Sequence, residues 1–188
     1  LYGHAMAYFA DRQELVLFFG ADKYDIQHNQ TWIFKNGDWA LLETPNSPAP
    51  RVYHEMVYDA EHQRILLFGG LQNSISLNDL WSFNGYTWTK LSPHQTPSIR
   101  SKSAFAYDTD TNLVYCFGGI ATEGFQTTYL GDHWVFQYRN AYFDKPVYDT
   151  LHDKAIVTIE DFSANTNFSA IDEINVRISS MADKVGFN

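Results

Sequence analysis

The chain has 188 residues, 45% hydrophobic and 16% aromatic, with 13 basic against 22 acidic residues for a net charge of −9. That suits a soluble globular body with one substantial core, and no run approaches the roughly 18 apolar residues of a membrane span. The absence of any Lys/Arg cluster argues against nucleic acid and anionic membranes as partners, and a single cysteine excludes an internal disulfide.

Leu1 stands almost at the start of the first predicted strand. The first unit, about residues 1–50, reads Ala7-Tyr8, a polar turn, then Leu15-Val16-Leu17-Phe18-Phe19-Gly20. The second, about 51–99, reads Val57-Tyr58-Asp59, a turn, then Ile65-Leu66-Leu67-Phe68-Gly69-Gly70. The third, about 100–140, reads Ala106-Tyr107-Asp108, a turn, then Leu113-Val114-Tyr115-Cys116-Phe117-Gly118-Gly119. Gly20 to Gly70 is 50 residues and Gly70 to Gly119 is 49, a period that marks a repeat architecture.

Four strands are expected per unit. The alternation of His54-Glu55-Met56-Val57-Tyr58 predicts a half-buried strand, and the short β-branched and aromatic run after it a fully buried one. Asp79-Leu80-Trp81-Ser82-Phe83 predicts the third and Tyr86 to Leu91 the fourth, joined by a tight type I′ turn at Asn84-Gly85. Asn36-Gly37 marks the same turn in the first unit. Trp32 and Trp39, like Trp81 and Trp88, are seven apart and are expected close together on one face of the hairpin, each pair contributing roughly 0.2–1 kcal/mol.

Residues 141–188 read as a degenerate fourth copy or a small separate β element. Val147 to Lys154 aligns with Val57 to Arg64 without a gap, and Asp172-Glu173-Ile174-Asn175-Val176 mirrors Asp79 to Phe83. Ile159-Glu160 replaces the diglycine, and Met181 stands where the second Trp belongs.

A strand ending in Gly-Gly, a later aromatic and a Trp seven residues beyond it together resemble the kelch family, over roughly residues 1–140. The resemblance implies an all-β fold, a kelch-type β-propeller segment of four-stranded antiparallel blades, three clear and one degenerate. Propellers have about 4–8 blades, and kelch rings usually six or seven. Further sequence or another copy of the chain is therefore expected to complete the ring, a self-contained four-bladed ring being the alternative.

Arg51 and Arg100 recur at the repeat spacing, three residues before His54 and Ser103. In kelch proteins an arginine here often faces the channel mouth and meets acidic partners, a task its planar fork suits; the alternative is a tie between blades through backbone carbonyls. Ala141 holds the equivalent place in the fourth copy. The loops between second and third strands offer a variable surface on a rigid scaffold. Tyr24, Phe125 and Tyr129 lie there, and Tyr53 follows Arg51 closely; with the two arginines they form the candidate ligand-binding set. His4, His54 and Ser103 share one repeat position and are expected to make a hydrogen bond inside each blade. Asp79, Asp132 and Asp172 are expected to cap turns.

The leading function is a non-catalytic interaction module that binds a protein or glycan at the loop-bearing face. The competing reading is a carbohydrate-active kelch enzyme, a sugar mutarotase or an oxidase, with its site at the channel mouth. The copper oxidase chemistry needs an available Cys, whereas Cys116 lies in a core strand. The seven histidines show no metal-ligand spacing, so neither metal nor cofactor is expected. Sequons at Asn29 and Asn167 acquire meaning only in a secreted eukaryotic chain.

Overall fold

The computed structural model describes residues 1–137 and, beyond them, the backbone of three short strands. The fourth-copy features at Ala141, Ile159-Glu160, Asp172 to Val176 and Met181, and the Asn167 sequon, lie outside the described residues.

Three four-stranded antiparallel sheets follow one another along the chain. The first joins β1 (Ala5–Phe9), β2 (Glu14–Phe18), β3 (Thr31–Lys35) and β4 (Asp38–Leu42) in sequence order. The second joins β5 (Glu55–Asp59), β6 (Arg64–Phe68), β9 (Leu80–Phe83) and β10 (Trp88–Leu91), with the short β7 (Leu71–Gln72) and β8 (Ile75–Ser76) between its middle strands. The third joins β11 (Ala104–Asp108), β12 (Leu113–Glu123), β13 (Gln126–Gln137) and β14 (Tyr142–Asp144). A further hairpin of β15 (Val147–Asp149) and β16 (Lys154–Ile156) pairs Val147 with Ile156 and Asp149 with Lys154, the register of Val57 with Leu66 and Asp59 with Arg64 in the second sheet.

The sheets pack face to face, and the first strands β1, β5 and β11 run side by side. Because side chains alternate across a strand, each blade has two apolar faces. Val16 and Phe18 of the first blade pack against Met56, Ile65, Leu67, Phe83 and Trp88 of the second. Leu66, Phe68 and Leu80 on the other face of the second pack against Val114, Cys116 and Phe136 of the third. The middle blade is covered on both sides, so its second strand is buried from Ile65 to Phe68 with no alternation. Cys116 sits in this second interface, where burial raises its thiol pKa.

The diglycine is explained by what surrounds it. Gly69 and Gly70 have φ of +63° and +104°, and Gly118 and Gly119 have +61° and +103°, a region side chains avoid. A Cβ on Gly70 would meet the His54 Cβ at 2.9 Å, and one on Gly119 the Ser103 Cβ at 3.0 Å.

One local expectation changes and a second gains detail. Asn36 and Gly37 both have positive φ and close a two-residue turn between Lys35 and Asp38, as a type I′ turn requires. In the second blade Trp88 pairs with Phe83, leaving a four-residue loop in which the Asn84 side chain accepts from the Tyr86 and Thr87 amides. Asn84 satisfies the loop with its own carboxamide, so it needs no left-handed backbone. The two tryptophans of each hairpin lie on one face, as expected, but diagonally and not directly opposite. Trp39 faces Phe34, with ring centroids 5.2 Å apart, and Trp88 faces Phe83 at 4.9 Å. The seven-residue spacing puts the second Trp opposite the residue two beyond the first.

Candidate functional site

In each antiparallel blade, the segment entering the first strand and the loop between second and third strands lie at the same end. Isolated bridges join them there: Tyr2 with Ala21, Val52 with Leu71, and Ser101 with Ile120. Leu77 with Arg100 adds a link from one blade to the next. This end carries all six candidate binding residues.

Arg51 and Arg100 are both completely buried. The Arg51 guanidinium donates to both carboxylate oxygens of Asp79, at 2.6 and 2.8 Å, to the Gly69 carbonyl at 2.9 Å and to the Ala49 carbonyl at 3.0 Å. Arg100 repeats the pattern with Asp132 at 3.0 Å to each oxygen, the Gly118 carbonyl at 3.0 Å, and the Ser98 carbonyl and hydroxyl at 3.1 Å. Each carboxylate also accepts an indole N–H, Asp79 from Trp81 at 2.7 Å and Asp132 from Trp134 at 2.6 Å. Asp79 and Asp132 therefore hold a bidentate ion pair instead of capping turns. The arginine ties the loop before the first strand to its own blade's diglycine and third strand.

This buried set sets the local pKa values. Arg100, with Trp134 adding to it, holds Asp132 down to about 2 against the cost of burial. Burial works against Asp79 as an anion, but the bonds from Arg51 and Trp81 outweigh it and lower its pKa. The first blade has no such set. Leu1 and Gln30 stand at the Arg and Asp places, and the buried Trp32 indole N–H has no hydrogen-bond partner.

Around the ends of the first strands a cavity of about 510 Å³ opens, with His4, Met6, Tyr53, His54, Glu55 and Lys102 among its walls. Gly3, Tyr53 and Lys102 occupy one repeat position, with φ of +63°, +57° and +56°. Their backbones link in a chain across blades, Tyr53 N–H to the Gly3 carbonyl at 2.8 Å and Lys102 N–H to the Tyr53 carbonyl at 3.0 Å. The Lys102 ammonium lies 4.3 Å from the Tyr53 ring centroid, and the Tyr2 ring is tilted against Tyr53 with centroids 6.2 Å apart.

His54 does not make the hydrogen-bonding pair expected of it. Its ring stands edge-on to Phe18 at 5.2 Å, and neither nitrogen has a well-formed hydrogen bond. Burial and then the neighbouring Arg51 depress its pKa to about 3, so it is neutral. What recurs at this position is the close approach of its Cβ to the diglycine. Glu55 is pushed up to about 7 by burial.

The remaining candidates project outward. Asp22 accepts from the Tyr24 and Ile26 amides and approaches His28, shaping a loop from which Tyr24 stands 70% exposed. Above the third blade, β12 and β13 continue past their diglycine bulge to a turn at Gly124-Phe125. There β8 of the second blade pairs with β12 at Ile75–Glu123, and the Ser76 hydroxyl bonds to the Ile120 carbonyl and the Thr122 amide. The result is a small raised sheet in the order β7, β8, β12, β13. Phe125 at its tip is fully exposed and Tyr129 is 81% exposed.

Sequence reasoning missed the carboxylate partners of the arginines and the cation of the rim. The signal for the first was available in the twin Asp-x-Trp sequences, Asp79-Leu80-Trp81 and Asp132-His133-Trp134, each accompanied by its Arg. Nothing in the sequence marked Lys102, whose meeting with Tyr53 depends on neighbouring blades. Among the described residues, no three His, Cys, Asp or Glu side chains gather as a metal cluster.

The comparison with curated proteins gives no match. A family model for the KLHDC2/KLHL20/DRC7 Kelch-repeats domain matches residues 1–152, which span all three blades and the start of the following hairpin. With its diglycine strands, four-stranded blades and repeat spacing, the chain belongs to the kelch-repeat family, whose domains generally mediate protein interactions.

Proposed function

We propose that this kelch module binds a protein partner at its loop-bearing face, through Tyr24, Tyr53, Phe125 and Tyr129, with Lys102 as the cation of the rim. Arg51 and Arg100 support that surface from inside the blades, because their guanidinium groups are buried and engaged. The observation that carries this reading is the gathering of large exposed rings at one end of the blades. Tyr24, Phe125 and Tyr129 are all more than two-thirds exposed on loops held by a rigid framework. Aromatic side chains of this kind supply much of the binding energy at protein interfaces.

The test is a triple variant, Tyr24→Ala, Phe125→Ala and Tyr129→Ala, compared with wild type in direct titration against proteins recovered on the immobilised chain. At least tenfold weaker binding with an unchanged melting temperature is expected. Equal binding by the triple variant would remove this face from the function. A glycan would use the same rings by stacking, so a glycan array run in parallel separates the two ligand classes.

A further inference from the structure

We infer that the outer edge of β13, over Gln126 to Leu130, is a strand-addition site for an extended peptide segment of a partner protein. The inference rests on the proposed loop-face interaction and specifies its physical mode.

The raised sheet has two edges of different character. On the β12 side it already grows by accretion, since β8 from the second blade adds to it at Ile75–Glu123. Ser76 completes that junction by bonding to the backbone of Ile120 and Thr122. On the other side, Gln126 to Leu130 pairs with β12 alone among the described residues, and β14 joins β13 only from Val135 onward. Gln126 through Tyr129 are all exposed, whereas the facing residues Gly119 to Thr122 are partly covered.

Edge strands are usually blunted by charge, proline or a bulge. Gln126-Thr127-Thr128-Tyr129-Leu130 has neither charge nor proline, and is rich in residues that favour strands. Gly124 has φ of +62° while Phe125 does not have positive φ, which is the type II′ pattern for a two-residue hairpin. Such a turn closes on a doubly hydrogen-bonded pair, here Glu123 and Gln126. Alternation then directs the N–H and C=O groups of Thr127 and Tyr129 away from β12, toward an incoming strand. The occupant that fits is an extended, proline-free peptide of about five residues, bonded through its main chain, with Phe125 and Tyr129 flanking its side chains.

The probe is a phage-displayed library of random linear dodecapeptides, selected on the full chain. Selected peptides are resynthesised with single N-methyl groups at each position, and amide hydrogen exchange is followed in the chain with and without peptide. Binding is expected to fall at least tenfold at alternate N-methyl positions and on Thr127→Pro, which removes an outward N–H but keeps both aromatics. The Thr127 and Tyr129 amides are expected to exchange quickly in the free chain and slowly in the complex. Rapid exchange unchanged by bound peptide, or slow exchange without it, would overturn the inference. If N-methylation has no periodic effect while Phe125→Ala and Tyr129→Ala abolish binding, the edge mode fails and the loop-face reading stands. If the aromatic substitutions also have no effect, that reading fails too.

Discussion

At the residue scale, the Arg–Asp–Trp sets are the main polar feature of the described interior. Two charges withdrawn from water lose several kcal/mol of hydration each, and an ion pair recovers this only when bidentate and fully hydrogen-bonded. Arg100 meets that condition with all five N–H groups engaged. Removing the arginine strips a partly buried carboxylate and a buried carbonyl of their donor, so Arg51→Ala and Arg100→Ala are each expected to destabilise the fold by about 2–4 kcal/mol in urea unfolding. The acid limb follows from Asp132. Its folded pKa, about 2, lies below the ordinary 3.8, so its contribution is complete above the unfolded value and is lost as pH falls through the folded one. Asp132→Asn should therefore flatten the fall in melting temperature between roughly pH 4 and 2. Glu55 has the opposite sign, because burial raises its pKa from 4.5 to about 7. The fold favours its neutral form, and stability is lost as pH rises from the unfolded to the folded value. Glu55→Gln should raise the melting temperature at pH 8, relative to wild type, and leave it nearly unchanged at pH 4.

At the element scale, the blade depends on backbone positions that only particular residues tolerate. Gly70→Ala would place a methyl group at φ +104° against the His54 Cβ and the Val52 carbonyl, 2.9 and 3.0 Å away. Gly37→Ala faces open space at φ +93° and meets backbone strain alone. Strain in this region costs on the order of 1–3 kcal/mol, so Gly70→Ala is expected to cost clearly more than Gly37→Ala in chemical denaturation. A result with the order reversed would mean that the diglycine is not held by its neighbours. Much of this element-level design is legible in the sequence, since Gly-Gly after an apolar run marks both the strand and its end. The turn at Asn84 and the Phe–Trp ring pairs are less legible, because register depends on loop length and the same letters serve loops of different length.

At the scale of the whole molecule, the repeat explains an exposed surface. By register Met6, Tyr8 and Trp39 of the first blade, all exposed, match Met56, Tyr58 and Trp88 of the second. Trp88 is fully buried against the first blade and donates to the Thr31 hydroxyl, whereas Trp39 is 45% exposed. Tyr58 and Tyr107 reach the preceding blade at Asp11 and Glu61, a reach for which Tyr8 has no counterpart among the described residues. Apolar surface of this extent promotes association, so light scattering on the isolated chain should give a concentration-dependent mass above 21.6 kDa. Tyr8→Lys with Trp39→Lys should bring it back toward that value.

The sequence by itself determined the repeat, the strands and the blade class, because these signals are local: the strand pattern recurs three times, and the diglycine end and the tryptophan spacing twice each. The tertiary structure alone decided what the recurring polar residues do. Arg51 and Asp79 are far apart in the chain, and their meeting depends on how loops return to the same end of a blade. That return buried the arginines and left Tyr24, Phe125, Tyr129 and the β13 edge facing solvent. Burial belongs to the packed assembly, whereas a residue's type and spacing are already present in the unfolded chain.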